Sequence, residues 1–216
     1  MKGKKSLQEK KSKGCLFIVS APSGAGKTTL CRMLVSGLAN LQFSVSYTTR
    51  TARAGEINDR DYTFISRQDF LRMAEAGEFI EWAEVHGELY GSSGTRVSKL
   101  LDAGNDVVLD IDTQGAMEIK KKYDKGVYIF ILPPSVEALK KRLEQRMTDS
   151  REEIARRLRR AVIEIKTFRQ YDYVIINDVL ENAVREFEAI VISHRVRTEL
   201  IDPVWIKKTF LKQEEN

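Results

Sequence analysis

The stretch CLFIVSAPSGAGKTTLCRML, residues 15–34, sets a branched apolar run, a glycine-rich turn, a lysine and two threonines in series. In such a turn successive backbone N–H groups can curl around phosphate oxygens, while the following helix adds the positive end of its dipole and lysine a point charge. The pattern departs from G-x-x-x-x-G-K-S/T at Ala21, where the first glycine would stand. Gly24 and Gly26 fall in the turn itself, where φ is expected to be positive. Ala21 falls at the strand exit, where a negative φ leaves space for one methyl group. The loop is therefore expected to be intact, with the backbone of Ser23, Gly24, Ala25 and Gly26 around the phosphates of a nucleotide. Lys27 would reach the terminal phosphates, Thr28 would sit on Mg²⁺ and Thr29 nearby. A glycine-rich turn that binds nothing is the alternative, and the strand before and helix after argue against it.

By itself the loop names no reaction, since GTPases, helicases and small-molecule kinases share it. DTQG, residues 112–115, fits the D-x-x-G of a GTPase, but no N-K-x-D follows to read guanine, and NDVL at Asn177 is not that motif. Asp110 ends the apolar run VVLD at the expected carboxyl edge of a sheet, where ligands gather in open α/β folds. Asp110 and Asp112, two apart, are expected on one side of that strand.

Three further segments, SVSYTTRTARAGEINDRDYTFI, EFIEWAEVHGELYGSS and VVLDIDTQGA, together with the loop resemble the guanylate kinases, which move the γ-phosphoryl group of ATP onto GMP. The resemblance runs from about Gly14 to His194. It implies that Arg50 and Arg53 clamp the GMP phosphate, helped by the hydroxyls of Tyr62 and Tyr90. A guanidinium fork matches phosphate oxygens bidentately, and phenols add neutral donors. It assigns Ser46 to guanine O6 and Glu81 and Asp112 to the N1–H and N2 donors, with Ser92 a further contact. A hydroxyl and two carboxylates complement guanine, whereas adenine would leave buried groups unpaired. Asp110 would hold Mg²⁺ through water.

In the same pattern the lid supplies Arg142, Arg146 and Arg157, and Asn177 borders the adenine pocket. Phosphoryl transfer by a direct in-line path asks mainly for positioning and charge neutralisation, and an arginine at the transferred group can be worth about 10³ to 10⁵ in rate. Arg156, Arg159 and Arg160 are read as solvated. Three positions depart from the family's glycines: Ala21, Asp59 in the loop carrying Arg53 and Tyr62, and Met147 at the lid hinge. The rival reading is a catalytically silent guanylate-kinase-like module that binds phosphopeptides. Such modules typically degrade the ATP loop, which here keeps Gly26, Lys27 and Thr28. A kinase of another nucleoside monophosphate is disfavoured by Ser46, Glu81 and Asp112.

Positioning these residues calls for alternating strands and helices, the pattern of a parallel sheet wrapped on both faces. Apolar runs predict five core strands at CLFIV, QFSVSY, DVVLDI, VYIFIL and YVIIN, with helices at about 27–39, 93–103, 135–146, 151–170 and 180–199. The expected fold is that of a P-loop nucleoside monophosphate kinase: core segments 14–47, 92–134 and 171–200, an inserted α+β GMP-binding subdomain over 48–91 containing the helical stretch RQDFLRMAEAG, and a lid with its flanking helices over 135–170. Residues 1–13 and 201–216 read as tails, the first lysine-rich. In the lid, Ile154, Leu158, Ala161, Val162, Ile165 and Phe168 are spaced to form one apolar helix face.

The length of 216 residues suits one α/β domain with insertions, and a formal charge of +5 suits an anionic ligand. Cys15 and Cys31 form no C-x-x-C pair, which fits a reduced cytoplasmic protein, and no apolar run approaches membrane-spanning length. His86 and His194 lack metal-ligand spacing and read as structural or surface residues. The expected partners are ATP and GMP, with dGMP as a further acceptor, and neither nucleic acid nor membrane; a homo-oligomer is left open.

Overall fold

The computed structural model describes residues 13–85, 87–123, 125–145 and 150–211. Its elements run β1 (Leu16–Ser20), α1 (Lys27–Gly37), β2 (Leu41–Phe43), β3 (Tyr47–Thr48), β4 (Thr63–Phe64), α2 (Arg67–Glu75), β5 (Phe79–Val85), β6 (Glu88–Ser93) and α3 (Gly94–Asp102). They continue with β7 (Asp106–Asp110), α4 (Thr113–Lys122), β8 (Val127–Leu132), α5 (Val136–Glu144), α6 (Arg151–Ile165), β9 (Tyr173–Ile176), α7 (Leu180–Arg195) and α8 (Pro203–Ile206).

Every residue of β1 is buried, because this strand is the centre of a parallel sheet in the order β2-β7-β1-β8-β9. A strand covered on both faces must be apolar on both. Phe17 and Val19 face a core with Leu30 and Leu34 of α1 and Phe187 and Val191 of α7. Leu16 and Ile18 face the opposite core with Val97 and Leu101 of α3 and Ile119 of α4. The chain leaves β1 toward β2 on one side and later builds β8 and β9 on the other. The crevice beyond the carboxyl ends of β1 and β7 is therefore the switch point where an open α/β sheet takes its ligand.

A second, four-stranded sheet, β4-β3-β6-β5, with α2 on it, forms the inserted subdomain. Its small core rests on Phe70, Phe79 and Leu89, with the two phenylalanine rings stacked at 4.5 Å. The run QFSVSY, expected as one core strand, divides between the sheets. Leu41–Phe43 pairs with β7, and Tyr47–Thr48 pairs with β4 and β6. The subdomain sheet thus begins at Tyr47 and ends at Ser93, slightly wider than the expected 48–91.

Helices α5 and α6, in the segment expected as the lid, pack through Leu139, Leu143 and Ala161, flanked by Ile154 and Leu158. Val162, inside α6, and Phe168, both expected on that face, are exposed; Phe168 leaves the face because α6 stops at Ile165 and the chain turns into a 3₁₀ turn at Phe168–Gln170. The helix expected to reach 199 ends at Arg195, followed by a 3₁₀ turn at Thr198–Leu200. Of the stretch 201–216 read as a C-terminal tail, residues 203–211 are helical, through α8 and a π-turn at Lys207–Leu211 started by the Asp202 cap, and residues 212–216 lie outside the described residues. Helix α4, not anticipated, is capped by Asp112, whose side chain accepts from the Gly115 N–H. Asp112 therefore lies beyond the end of β7, and the expectation that it shares a strand face with Asp110 is corrected. Arg146 and Met147, His86 and the first twelve residues lie outside the described residues.

Candidate active site

The turn after β1 has the conformation its glycines allow. Gly24 has φ +95° and Gly26 φ +92°, and a Cβ on Gly26 would lie 2.4 Å from the Asn177 side-chain nitrogen. Among the described non-glycine residues only Asn40 and Asp59 have positive φ, so Ala21 sits in an ordinary backbone region, as its methyl requires. Gly26 caps α1 without a side-chain hydrogen bond, leaving the first-turn N–H groups directed at the cavity.

Lys27 Nζ lies 2.7 Å from Asp110 Oδ1 and also donates to the Ile111 carbonyl, while Thr28 Oγ1 donates to Asp110 Oδ2 at 2.8 Å. Burial pushes the Lys27 pKa down, but the Asp110 charge and hydrogen bond outweigh it, so the net shift is upward and the ammonium is held charged. Burial also pushes the thiol of Cys31, on α1, well up, which leaves it an inert core residue.

One cavity of about 370 Å³ joins this loop to the inserted subdomain. It is lined by Ser23, Gly24, Ala25, Gly26, Lys27, Thr28, Thr29 and Asp110 at one end, and by Ser46, Arg50, Arg53, Tyr62, Glu81, Tyr90 and Asp112 at the other, with Arg157 from the lid. Residues expected from distant parts of the chain are thus brought together. Arg157 Nη2 donates to Ser23 Oγ at 2.7 Å, joining α6 to the loop.

Three expected residues stand behind this surface. Ser92 is fully buried, 3.2 Å from Ser46 Oγ and paired with Glu81 across the β5–β6 ladder. Asn177 donates from its side chain to the Ala25 carbonyl at 2.7 Å. Arg142 donates to the carbonyls of Ala25 at 3.3 Å and Asn177 at 2.8 Å, so its guanidinium braces the loop from outside the cavity.

At the subdomain end, Glu81 is buried and its pKa is pushed up to about 7, first by burial and then by Asp112, against hydrogen bonds from Ser92. Asp112 Oδ1 accepts from Gly115 N at 2.8 Å, while its buried Oδ2 has no partner among the described residues. A Cβ on Gly115 would lie 2.6 Å from Glu81 Oε2, so glycine there lets the two carboxyl groups meet. Two carboxyls and the Ser46 hydroxyl form an acceptor-rich patch suited to a ligand edge that carries several donors.

Arg50 is gripped by Glu56 through two 2.7 Å hydrogen bonds and lies 5.0 Å from the centre of the Tyr62 ring. The Arg50 guanidinium in turn holds Glu56 down to about 2. Tyr62 and Tyr90 meet edge to face at 6.0 Å, and burial raises the Tyr62 hydroxyl above its ordinary pKa. Asp59, at φ +59°, takes the left-handed conformation a glycine would adopt freely, and its carboxylate accepts from Thr63 Oγ1 at 2.7 Å and Asn58 Nδ2 at 2.9 Å.

Sequence reasoning missed Glu56, Gly115 and the cavity-lining Arg160 and Glu164, and Arg160 had been read as solvated. The Glu56 contact could have been suspected from the R-x-x-R-x-x-E spacing alone. The others need the packed helices.

The sequence model of the guanylate kinase family matches residues 13–194. Over 188 residues the chain is 51% identical to guanylate kinase of Geobacter metallireducens, covering 87% of this chain and 93% of that protein. It is 44% identical over 197 residues to guanylate kinase of Caldanaerobacter subterraneus, covering 91% and 96%. The crystal structure of guanylate kinase from Anaplasma phagocytophilum superposes with a TM-score of 0.75 at 33% identity, covering 95% of this chain and 98% of that one. The chain belongs to the guanylate kinase family.

Proposed function

We infer that the chain transfers the γ-phosphoryl group of ATP to GMP, giving ADP and GDP. The observation that carries this reading is the single cavity with a phosphate loop at one end and Ser46, Glu81 and Asp112 at the other. The loop amides and Lys27 take the ATP phosphates, and Arg50, Arg53, Tyr62 and Tyr90 hold the GMP phosphate. Ser46 donates to guanine O6, and Glu81 and the open Oδ2 of Asp112 accept from N1–H and N2. An oxygen of the GMP phosphate attacks the γ-phosphorus in line, the bond to the β-bridging oxygen breaks, and ADP leaves. A phosphate largely dianionic at neutral pH needs no general base. Arg157, already at Ser23, neutralises charge on the transferred group. Arg142 and Asn177 act by fixing the Ala25 carbonyl, and Arg146 extends the same arginine set.

Mg²⁺ is held in such sites by one or two protein oxygens together with the substrate phosphates. Thr28 and, through water, Asp110 would hold it, and the ion would neutralise charge on the β- and γ-phosphates. No helix among the described residues is long and apolar enough to cross a membrane. A cytoplasmic setting is consistent with the buried free thiols of Cys15 and Cys31.

The test is ADP formation from Mg-ATP with GMP, AMP, CMP or UMP as acceptor. GMP alone is expected to support turnover, with Lys27→Ala lowering kcat by at least about 10²-fold through lost charge stabilisation. ADP release with AMP or a pyrimidine nucleotide but not GMP would overturn the assignment of Ser46, Glu81 and Asp112.

A further inference from the structure

We propose that Arg160 is a further phosphate-binding residue of this site, placed over the junction of donor and acceptor phosphates, and that Glu164 is its positioning residue. The inference rests on the guanylate kinase reading of the cavity. Arg157, Arg160 and Glu164 recur along one stripe of α6 at spacings of three and four, and all three line the cavity. Arg157 meets the phosphate loop at Ser23. Glu164 lies at the opposite end of the stripe, its side chain only 12% exposed. Burial raises its pKa, and both Asp112 and Lys27 lie near enough to perturb it. Arg160 stands between Arg157 and Glu164 along this stripe and, like both, lines the cavity that joins the loop to the inserted subdomain.

Glu164 binds Arg160 by its Nε alone, at 3.0 Å from Oε1. The two Nη groups make no hydrogen bond among the described residues, so the outer fork of the guanidinium is open toward the cavity. That is the part of arginine that grips phosphate bidentately. Arg160 is a half-exposed cation one turn from Arg157, and like-charge repulsion would drive it outward without a local anion. Glu164 supplies the anion and sets the direction. When phosphates fill the cavity, the open fork faces them while the Nε contact persists.

The experiment compares steady-state kinetics and Tm of the wild type with Arg160→Met, Arg160→Lys, Glu164→Gln and the double variant Arg160→Met/Glu164→Gln. Arg160→Met should lower kcat/KM for GMP by about 10- to 100-fold, a share of what an arginine at a transferred phosphoryl group can supply. Lysine should restore only part of it, because an ammonium lacks the fork. Glu164→Gln should cause a smaller loss, and the double variant should be no worse than Arg160→Met, since Glu164 would then have nothing to orient. Arg160→Met kinetics within about twofold of wild type, or additive losses that track a fall in Tm, would overturn the proposal. Wild-type turnover of GMP, run alongside, separates the two readings. If it is present, a silent Arg160 substitution removes only this role; if absent, the cavity reading falls and this proposal with it.

Discussion

Burial pushes the Glu81 carboxyl up to about 7, so near neutral pH the free protein holds both its forms. Guanine's N1–H and N2 donors need the ionised form. GMP affinity is therefore expected to fall as pH drops through this range, and Glu81→Gln should bind GMP weakly and, by calorimetry, keep only the pH dependence of the GMP phosphate itself, whose second pKa is about 6. The stability sign is opposite. A carboxyl whose folded pKa is raised from 4.5 to about 7 contributes fully below the lower value and loses that contribution as pH rises through the upper one. Glu81→Gln should therefore exceed the wild type in stability by up to about 3 kcal/mol near pH 8, with the gap closing toward pH 4.5, in denaturant titrations. Asp59 is a second residue whose cost and compensation can be separated. Asp59→Ala keeps the left-handed backbone but loses the Thr63 and Asn58 hydrogen bonds, and should destabilise by about 1–2 kcal/mol. Asp59→Gly removes the strain with the bonds and should stay within about 1 kcal/mol of wild type.

At the scale of elements, α6 carries Arg157 and Arg160, and it starts just after residues 146–149. Ser150 Oγ accepts from the Glu153 N–H at 3.2 Å, and Glu152 and Glu153 occupy the first turn, where the helix dipole favours acids. Ser150→Ala should cost about 1 kcal/mol, felt as faster amide exchange over 151–155 and a kcat lowered by about fivefold, with little change in Tm. How far such elements were legible in the sequence depended on whether their cause was local. β1, the loop and α1 are contiguous, so strand, turn and helix could be read together, including the tolerance of Ala21. The split of QFSVSY could not, because apolar alternation continues through Ser44–Ser46 while the partner changes from Val108 for Phe43 to Gly91 for Tyr47. Helix α4 escaped notice because TQGAMEIKKK has few apolar positions and a glycine in its first turn, and that glycine serves Glu81 rather than the helix. Arg160 looked solvated in a run of arginines, since only the seating of α6 over the crevice decides which of them faces inward.

Across the whole molecule, the ends of the matched region are tied by one buried pair. Asp106, 1% exposed at the start of β7, accepts from the Cys15 N–H at 2.8 Å and from Arg195 Nε at 2.7 Å. Arg195 also donates to the Ala39 carbonyl at 2.8 Å, so the last residue of α7 locks together β1, β7 and the loop after α1. These contacts lie at the amino ends of the strands, away from the crevice, and their role is to hold the sheet that aligns the loop and Asp110. A buried ion pair adds little over a well-packed apolar pair, but removing one partner strands a charge and costs about 3–5 kcal/mol. Arg195→Met removes the guanidinium's hydrogen bonds to Asp106 and to the Ala39 carbonyl, and for a chain of this size should lower Tm by about 2–4 °C for each kcal/mol lost. GMP-dependent kcat at 25 °C should stay within about twofold of wild type, because the pair sits at the amino ends of the strands and neither residue lines the cavity. Calorimetry with parallel kinetics checks both halves. A loss of kcat matching the loss of Tm would mean that the far edge of the sheet is coupled to the loop, and that the crevice cannot hold its geometry when that edge loosens.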